Sequence, residues 1–394
     1  MISTATRGIF LLVKSALTGE SYPLPEGFDL EQEKQLIRMH QIENLIYYGA
    51  VNCGMDPKSA LLRELFSVTC RYLYIDQRQR WELEKLYAVL DEKQIDYMPL
   101  KGVWLKPLYP RPDMRIMGDA DILIRMEQYG KLKPLMQQLG FAEKLESDHE
   151  LIWTKPTLYL ELHKRVIPSY NKDYATYFGN GWRLAQPCEG NTCRHKMSDE
   201  DAFIYLFTHF AKHYRDGGIG IRHLTDLYVF SKARPHLDEA YLREELKKLQ
   251  LHTFYENVCD ALAVLFDDAP ENDKTRVITD VIMHSGVYGS ESGHIAAQGV
   301  RERAKGSTAR QVRRRHWLQL VFLPYDAMCE KYPVLKKCTV LLPVMWVARW
   351  FYVLTKQPHR LRSERRRIKM MSEERIESYD QMLRAVGLAF NFKE

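Results

Sequence analysis

Two aspartates one residue apart, Asp119 and Asp121, carry the strongest chemical signal in the sequence. They lie in Asp119-Ala120-Asp121-Ile122-Leu123-Ile124, whose alternation suits a β-strand. Side chains two positions apart on a strand leave the same face, so both carboxylates project together with Leu123, while Ala120, Ile122 and Ile124 face the other way. Such a pair is a compact harness for Mg2+, which takes hard oxygen ligands and keeps positions open for substrate phosphates. A third carboxylate strengthens the pattern. In the segment from Thr157 to His163, Leu158, Leu160 and Leu162 share one face, and Glu161 shares the opposite one with Tyr159 and His163. Should that strand lie beside the Asp119 strand, three carboxylates converge, an arrangement that repels itself unless cations neutralise it. Acidic pairs are common at strand ends, so the pair alone is a weak signal and the convergence is what gives it weight.

Lys101-Gly102 supplies what a metal does not: a glycine where backbone can approach phosphate oxygens, a helix start with free N–H groups, and a lysine as a point charge. Arg115, four residues before Asp119, stands in a loop able to fold over the same place. His209, Lys212 and His213 fall at i, i+3 and i+4 of a predicted helix and form one polar stripe, either a wall of a nucleotide or acceptor pocket or a polar face between domains. Arg222 and Asp226, one turn apart, have the spacing of a simple salt bridge. Cys188, Cys193 and His195 lack the tight paired spacing and fourth ligand of a zinc site, and a hairpin carrying free thiols is the better reading.

These residues need elements to hold them. The first 90 residues read as helices, with apolar residues at near-helical intervals from Leu30 to Ile46 and Leu61 to Leu73, then a long amphipathic segment over 72–93. Gly49, Gly54 and Pro57 punctuate them. Near Ile95 the pattern changes to a short strand ending at Lys101-Gly102, the Asp119 strand, a helix from Tyr129 that stops at Gly140, and two strands joined by a Lys155-Pro156 turn. From Ser198, which caps the next helix with Asp201 three residues on, the chain is helical again, and a short terminal helix follows Met371. The expected organisation is a helical region over 1–90, an α/β catalytic unit over 91–190, a helical domain over 191–300 and a basic helical region over 301–394. The fold class is α+β, a small mixed sheet embedded in a largely helical chain.

The motifs Leu100-Lys101-Gly102, Leu108-Tyr109-Pro110, Arg115, Gly118 to Ile124, Leu139-Gly140-Phe141 and Glu161-Leu162-His163 together resemble an uncharacterised bacterial nucleotidyltransferase family within the DNA polymerase β-like superfamily. The resemblance continues through His209 to His213, Arg222 to Leu227, Gly286 to Gly289, and Leu341 to Val344 with Arg349-Trp350, covering roughly residues 85–355. It implies Asp119, Asp121 and Glu161 as catalytic and metal-binding residues, with Mg2+ or Mn2+ as cofactor and a nucleoside triphosphate as co-substrate. Lys101, Gly102, Arg115 and Lys212 then serve nucleotide binding. Two positions depart from the family pattern: Glu161 stands where aspartate is commoner, and Lys101-Gly102 replaces the usual Gly-Ser pair.

Composition sets the remaining bounds. With 45% hydrophobic, 27% charged and 11% aromatic residues in 394, disorder is not expected. Seven cysteines spread along the chain argue for a reducing compartment, and the apolar run Ile9 to Val13 lacks the basic leader of a signal peptide, so the expected location is the cytoplasm. The nearest approach to a membrane span, Thr339 to Leu354, is broken by Pro343 and Arg349. The net charge of +6 is concentrated: residues 301–369 hold 18 Lys and Arg against 4 Asp and Glu. The triplets Arg313-Arg314-Arg315 and Arg365-Arg366-Arg367 are the nucleic-acid candidates, but without interleaved aromatics they read better as solvated helix faces. The segment with Trp346, Trp350, Phe351 and Tyr352 reads as a helix packed on the catalytic domain in preference to one lying on a membrane. Three functions compete: nucleotidyl transfer to an unidentified hydroxyl of a small molecule, protein or RNA end; a catalytically silent nucleotide-binding interaction module; and a basic helical nucleic-acid-binding protein.

Overall fold

Helix signals at the N-terminus act as the sequence leads one to expect. In the computed structural model, which describes residues 2–308, 311, 314, 317–318, 321–325, 328–329, 332–336, 338–356 and 372–390, the chain opens with α1 (Thr4–Thr18). The Ser3 hydroxyl accepts from the Thr6 N–H at its start, and Gly19 closes it in the left-handed region. Helices α2 (Lys34–His40), α3 (Glu43–Asn52) and α4 (Ala60–Glu92) follow. The two periodic segments read after Leu61 are one helix, because no glycine or proline interrupts residues 60–92.

The sheet begins with β1 (Tyr97–Pro99), and the short helix α5 (Gly102–Leu105) leads to the loop before β2 (Ala120–Ile124). After α6 (Tyr129–Gln138) come β3 (Ala142–Glu146), β4 (Glu150–Lys155) and β5 (Leu158–His163), then α7 (Lys172–Phe178), β6 (Gln186–Cys188) and β7 (Asn191–Lys196). These seven strands form one mixed sheet in the order β3-β4-β5-β2-β1-β7-β6. β2 runs antiparallel to β1 and parallel to β5. The sequence reading lacks β3 and gives β6 and β7 only as a hairpin carrying free thiols. β3 is the polar edge Ala-Glu-Lys-Leu-Glu, exposed throughout, with too little apolar alternation to register as a strand. β6 and β7 make a hairpin around Gly190 at φ 73°, and it carries Cys188 and Cys193 as free thiols.

The remaining helices are α8 (Asp199–Arg215), α9 (Ile221–Ala233), α10 (Glu239–Lys248), α11 (His252–Phe266), α12 (Asp273–Ser285), α13 (Glu291–Ala304), α14 (Leu342–Lys356) and α15 (Glu373–Ala385). The two faces of the sheet bury into different cores. Ala120, Ile122 and Ile124 of β2 and the three leucines of β5 pack with Leu86 and Leu90 of α4 and with Leu132 and Met136 of α6. Leu123, Met98 and Leu100 face the larger cluster, which contains Phe203, Leu206 and Phe207 of α8 and Leu224 and Leu227 of α9. Asp121 shares the Leu123 face, so the fold places its carboxylate between the sheet and the α8–α9 pair.

One feature of the last third differs from the sequence reading. α14 packs with its own small cluster of Met328, Cys329 and Leu335, joined by Leu323, Tyr332 and Met345, and not in the core of the sheet. Its tryptophans bond locally, Trp346 Nε1 donating to the Leu323 carbonyl at 3.0 Å and Trp350 Nε1 to that of Val321 at 2.6 Å. Arg313, Arg315 and the triplet 365–367 lie outside the described residues. No described helix is long and apolar enough to cross a membrane.

Candidate functional site

The β2–β5 pairing sets the geometry. In parallel register Asp121 lies opposite Glu161, and Leu123 opposite His163, so the same-face side chains Asp121, Glu161 and His163 converge. His163 Nε2 is 2.6 Å from Asp121 Oδ1 and 3.6 Å from Glu161 Oε2. Lys101 Nζ donates to the same Asp121 oxygen at 3.1 Å. Lys101 reaches it from an unusual backbone, φ 40° and ψ −113°, outside the regions a non-glycine residue ordinarily takes. Such conformations cost about 1–3 kcal/mol and persist only where the surroundings enforce them.

The electrostatics follow from burial and these contacts. Burial would raise the Asp121 carboxyl, but Lys101 and His163 outweigh it and hold the group below the usual carboxylate range. Burial opposes the charge on His163, yet its bonds to Asp121 and Glu161 prevail and its pKa is raised. Glu161 is pushed up, first by burial and then, against the His163 bond, by Asp121 and Asp119. Asp119 is open to solvent on one side, as its position just ahead of β2 requires, but the crowded wall beside it and then Asp121 raise its carboxyl too. One carboxylate is thus held charged while two neighbours resist charge.

The cavity at this point has a volume of about 360 Å3, and its lining includes Lys101, Gly102, Arg115, Asp119, Asp121, Glu161 and Lys212, every residue the sequence singles out for the site. The histidine stripe of α8 lines this cavity as well. His209 Nε2 and His213 Nε2 stand 3.0 Å apart, and burial holds both, and His223, well below the ordinary imidazole range. The Lys212 side chain makes no hydrogen bond or ion pair among the described residues, and burial, then Lys101, lowers it to about 8. A larger cleft of about 530 Å3, lined by Lys172, Tyr177 and Lys248 among others, lies away from these groups.

Arg115 and Asp226 form the pairing that sequence spacing assigns to the wrong partners. Arg115 Nε and Nη2 donate to the two Asp226 oxygens at 2.7 and 2.9 Å, and the Tyr109 hydroxyl adds a third bond at 2.7 Å. Arg222 instead donates from Nη1 to the Ile116 carbonyl at 3.3 Å. The helical i, i+4 rule sees only neighbours on one helix, whereas Asp226 turns toward the loop ahead of β2. This clamp also explains Gly102: a Cβ there would meet Arg115 Nη1 at 2.6 Å. Because that guanidinium is pinned, Gly102→Ala is expected to cost about 1–3 kcal/mol of stability, measured by urea unfolding.

Glu150 and Tyr288 also line the cavity; Glu150 carries no readable sequence signal, and Tyr288 enters the sequence reading only within the Gly286 to Gly289 motif. Glu150 reaches the site only because β4 pairs with β5 so that Glu150 opposes His163. Tyr288 arrives on the loop between α12 and α13, where His294 sits 2.6 Å from the Asp216 carbonyl and 2.8 Å from that of Tyr288.

Among the described residues, the group of three or more metal-ligating side chains with ligand atoms all within 4.8 Å is Asp121, Glu161 and His163. Asp119 lines the same cavity outside that group. Carboxylates in this number suit Mg2+ or Mn2+, and the imidazole, bonded to Asp121, either joins them or orients that carboxylate.

A family model described as an uncharacterised nucleotidyltransferase matches residues 26–267. No curated protein matches the chain. Among solved structures, the solution structure of the antibiotic-resistance factor ANT(2'')-Ia is similar at 14% identity and a TM-score of 0.33, over 49% of this chain and 100% of that one. At that score the likeness carries no argument about this site.

Proposed function

The chain belongs to the uncharacterised nucleotidyltransferase family, and from that membership we propose metal-dependent transfer of a nucleotidyl group from a nucleoside triphosphate to a hydroxyl acceptor. The observation that carries this reading is the meeting of Asp121 and Glu161 across the β2–β5 pair, with Asp119 at the mouth, in a cavity whose opposite wall presents Lys212 and Arg222. Asp119, Asp121 and Glu161 would hold a divalent cation, with His163 fixing the Asp121 carboxylate. A cation bound there supplies charge neutralisation for the reacting phosphate oxygens.

The rest of the chemistry falls to the chain itself. The acceptor oxygen attacks the α-phosphorus, the bond from that phosphorus to the β-bridging oxygen breaks, and pyrophosphate leaves. Glu161, whose carboxyl is pushed up by burial, takes the acceptor proton. Lys212 and Arg222 receive the negative charge of the departing phosphates. Lys101 and Arg115 serve less directly, since Asp121 and Asp226 already hold them. The half-buried histidines of α8 and α9, held neutral by their surroundings, offer hydrogen bonds without charge to the acceptor. A triphosphate donor places the reaction in the cytoplasm.

One observation favours a second reading, a nucleotide-binding module without activity: Lys101 already occupies a carboxylate that a cation would need. Incubation with α-labelled triphosphates, Mg2+ and a metabolite extract separates the two. Transfer of label with release of pyrophosphate supports the enzyme, and nucleotide binding with no transfer supports the silent module.

Nucleotide affinity should also depend on pH. Lys212 sits at about 8 in the free protein, and a bound triphosphate would keep it protonated. Affinity is then full below pH 8 and falls as pH rises through it, by up to about tenfold per unit. Calorimetric titration between about pH 7 and 9 should show that slope in the wild type and none in Lys212→Met.

A further inference from the structure

More than half of the exposed large apolar side chains among the described residues fall between Trp317 and Leu354. On α14, Val344, Val347, Phe351 and Leu354 follow the i, i+3, i+7, i+10 spacing of a single helix face, and that face is bare: Val344 is 61%, Phe351 67% and Leu354 61% exposed. The opposite face, with Met345, Trp346 and Trp350, is the one packed against residues 321–335. A helix apolar on both sides ordinarily belongs to an interior or a membrane. At 15 residues α14 spans roughly 22 Å, short of the roughly 30 Å hydrocarbon layer, so it does not cross one.

The composition around it indicates what covers the bare face. Residues 306–316 contain four arginines and no acidic residue, and residues 356–369 seven Lys and Arg against one acidic residue. Apolar surface bracketed by two cationic segments matches a bilayer containing anionic lipid, where the side chains enter the headgroup boundary and the cations meet the lipid phosphates. A nucleic acid would use the cations but gain little from a mainly aliphatic face. A second copy of the chain would bring like-charged flanks together. We infer that α14 is a membrane-surface anchor, laid with Val344, Val347, Phe351 and Leu354 against an anionic bilayer.

Co-sedimentation of the full chain with phosphatidylcholine vesicles, with and without about a third phosphatidylglycerol, tests this. Binding is expected to the anionic vesicles, to weaken severalfold between about 0.1 and 0.5 M salt, and to be weak on phosphatidylcholine alone. Val347→Glu/Phe351→Glu should reduce it roughly tenfold or more, with the melting temperature unchanged because both sites are exposed. Absence of binding to anionic vesicles, or binding that the double substitution leaves intact, would overturn the inference. So would light scattering showing a wild-type dimer that the substitutions dissociate, since a second copy would then cover the face. Binding to an oligoribonucleotide but to no vesicle would overturn it in favour of nucleic acid.

Discussion

Asp119→Asn is expected to abolish nucleotidyl transfer, a loss of about a thousandfold or more, in a protein that melts at the same temperature as the wild type or slightly higher. The two outcomes have one origin. Asp119 makes no ion pair among the described residues, and the crowded wall and Asp121 raise its pKa. A carboxyl raised on folding is less comfortable charged in the native state than in the unfolded chain, so above that pKa its charge works against stability. Asparagine removes the repulsion and the ligand together. Asp121→Asn should behave differently, losing activity and stability alike. Its carboxylate is buried against Lys101 at 3.1 Å and His163 at 2.6 Å, and both partners would be left without their counter-charge. Breaking a buried pair in this way costs roughly 3–5 kcal/mol. Turnover assays together with thermal melts of the two variants would show this split, and equal stability losses would contradict it.

Asp226→Ala is expected to be among the most destabilising single changes in the chain, by roughly 3–5 kcal/mol. Asp226 is 1% and Arg115 9% exposed by side chain, and the substitution strips both bonds from a largely buried guanidinium. It also removes the acceptor of the Tyr109 hydroxyl. The pair ties the loop ahead of β2 to α9, so its loss should also loosen Asp119 and weaken nucleotide binding. Replacing both partners, Arg115→Met with Asp226→Leu, should cost much less than Asp226→Ala alone, because no buried charge remains. Urea midpoints for the three variants measure the difference. A double variant no more stable than Asp226→Ala would mean that the pair acts through packing and not charge.

Much of this site was legible because β-strand alternation is a strict rule. Once Asp119-Ala120-Asp121 and Leu160-Glu161-Leu162 are read as strands, the faces of their side chains follow, and the parallel register of Asp121 with Glu161 supplies the one contact the sequence leaves conditional. Helical spacing likewise put His209, Lys212 and His213 on one stripe. What escaped depends on non-local geometry. Glu150 needs the β4–β5 register, and Asp226 meets Arg115, 111 residues away, while the nearer Arg222 turns to a backbone carbonyl. β3 escaped because its burial is slight, leaving no alternation to read. α14 was assigned a place on the catalytic domain because apolar content shows that a helix must be covered without showing by what; its packing is local and one face stays bare.

A divalent cation and a nucleoside triphosphate are expected to bind together at Asp119 and Asp121. Thermal melting with ATP, GTP, CTP and UTP in turn, with and without Mg2+, for the wild type and Asp119→Asn, tests it most directly. A triphosphate at about 100 times its dissociation constant adds roughly 2.7 kcal/mol, a shift of a few degrees for a chain of this size. At least one triphosphate is expected to stabilise the wild type, only with Mg2+ present, and Asp119→Asn to lose the effect. No stabilisation by any triphosphate, or stabilisation that persists without Mg2+ and in the variant, would contradict it.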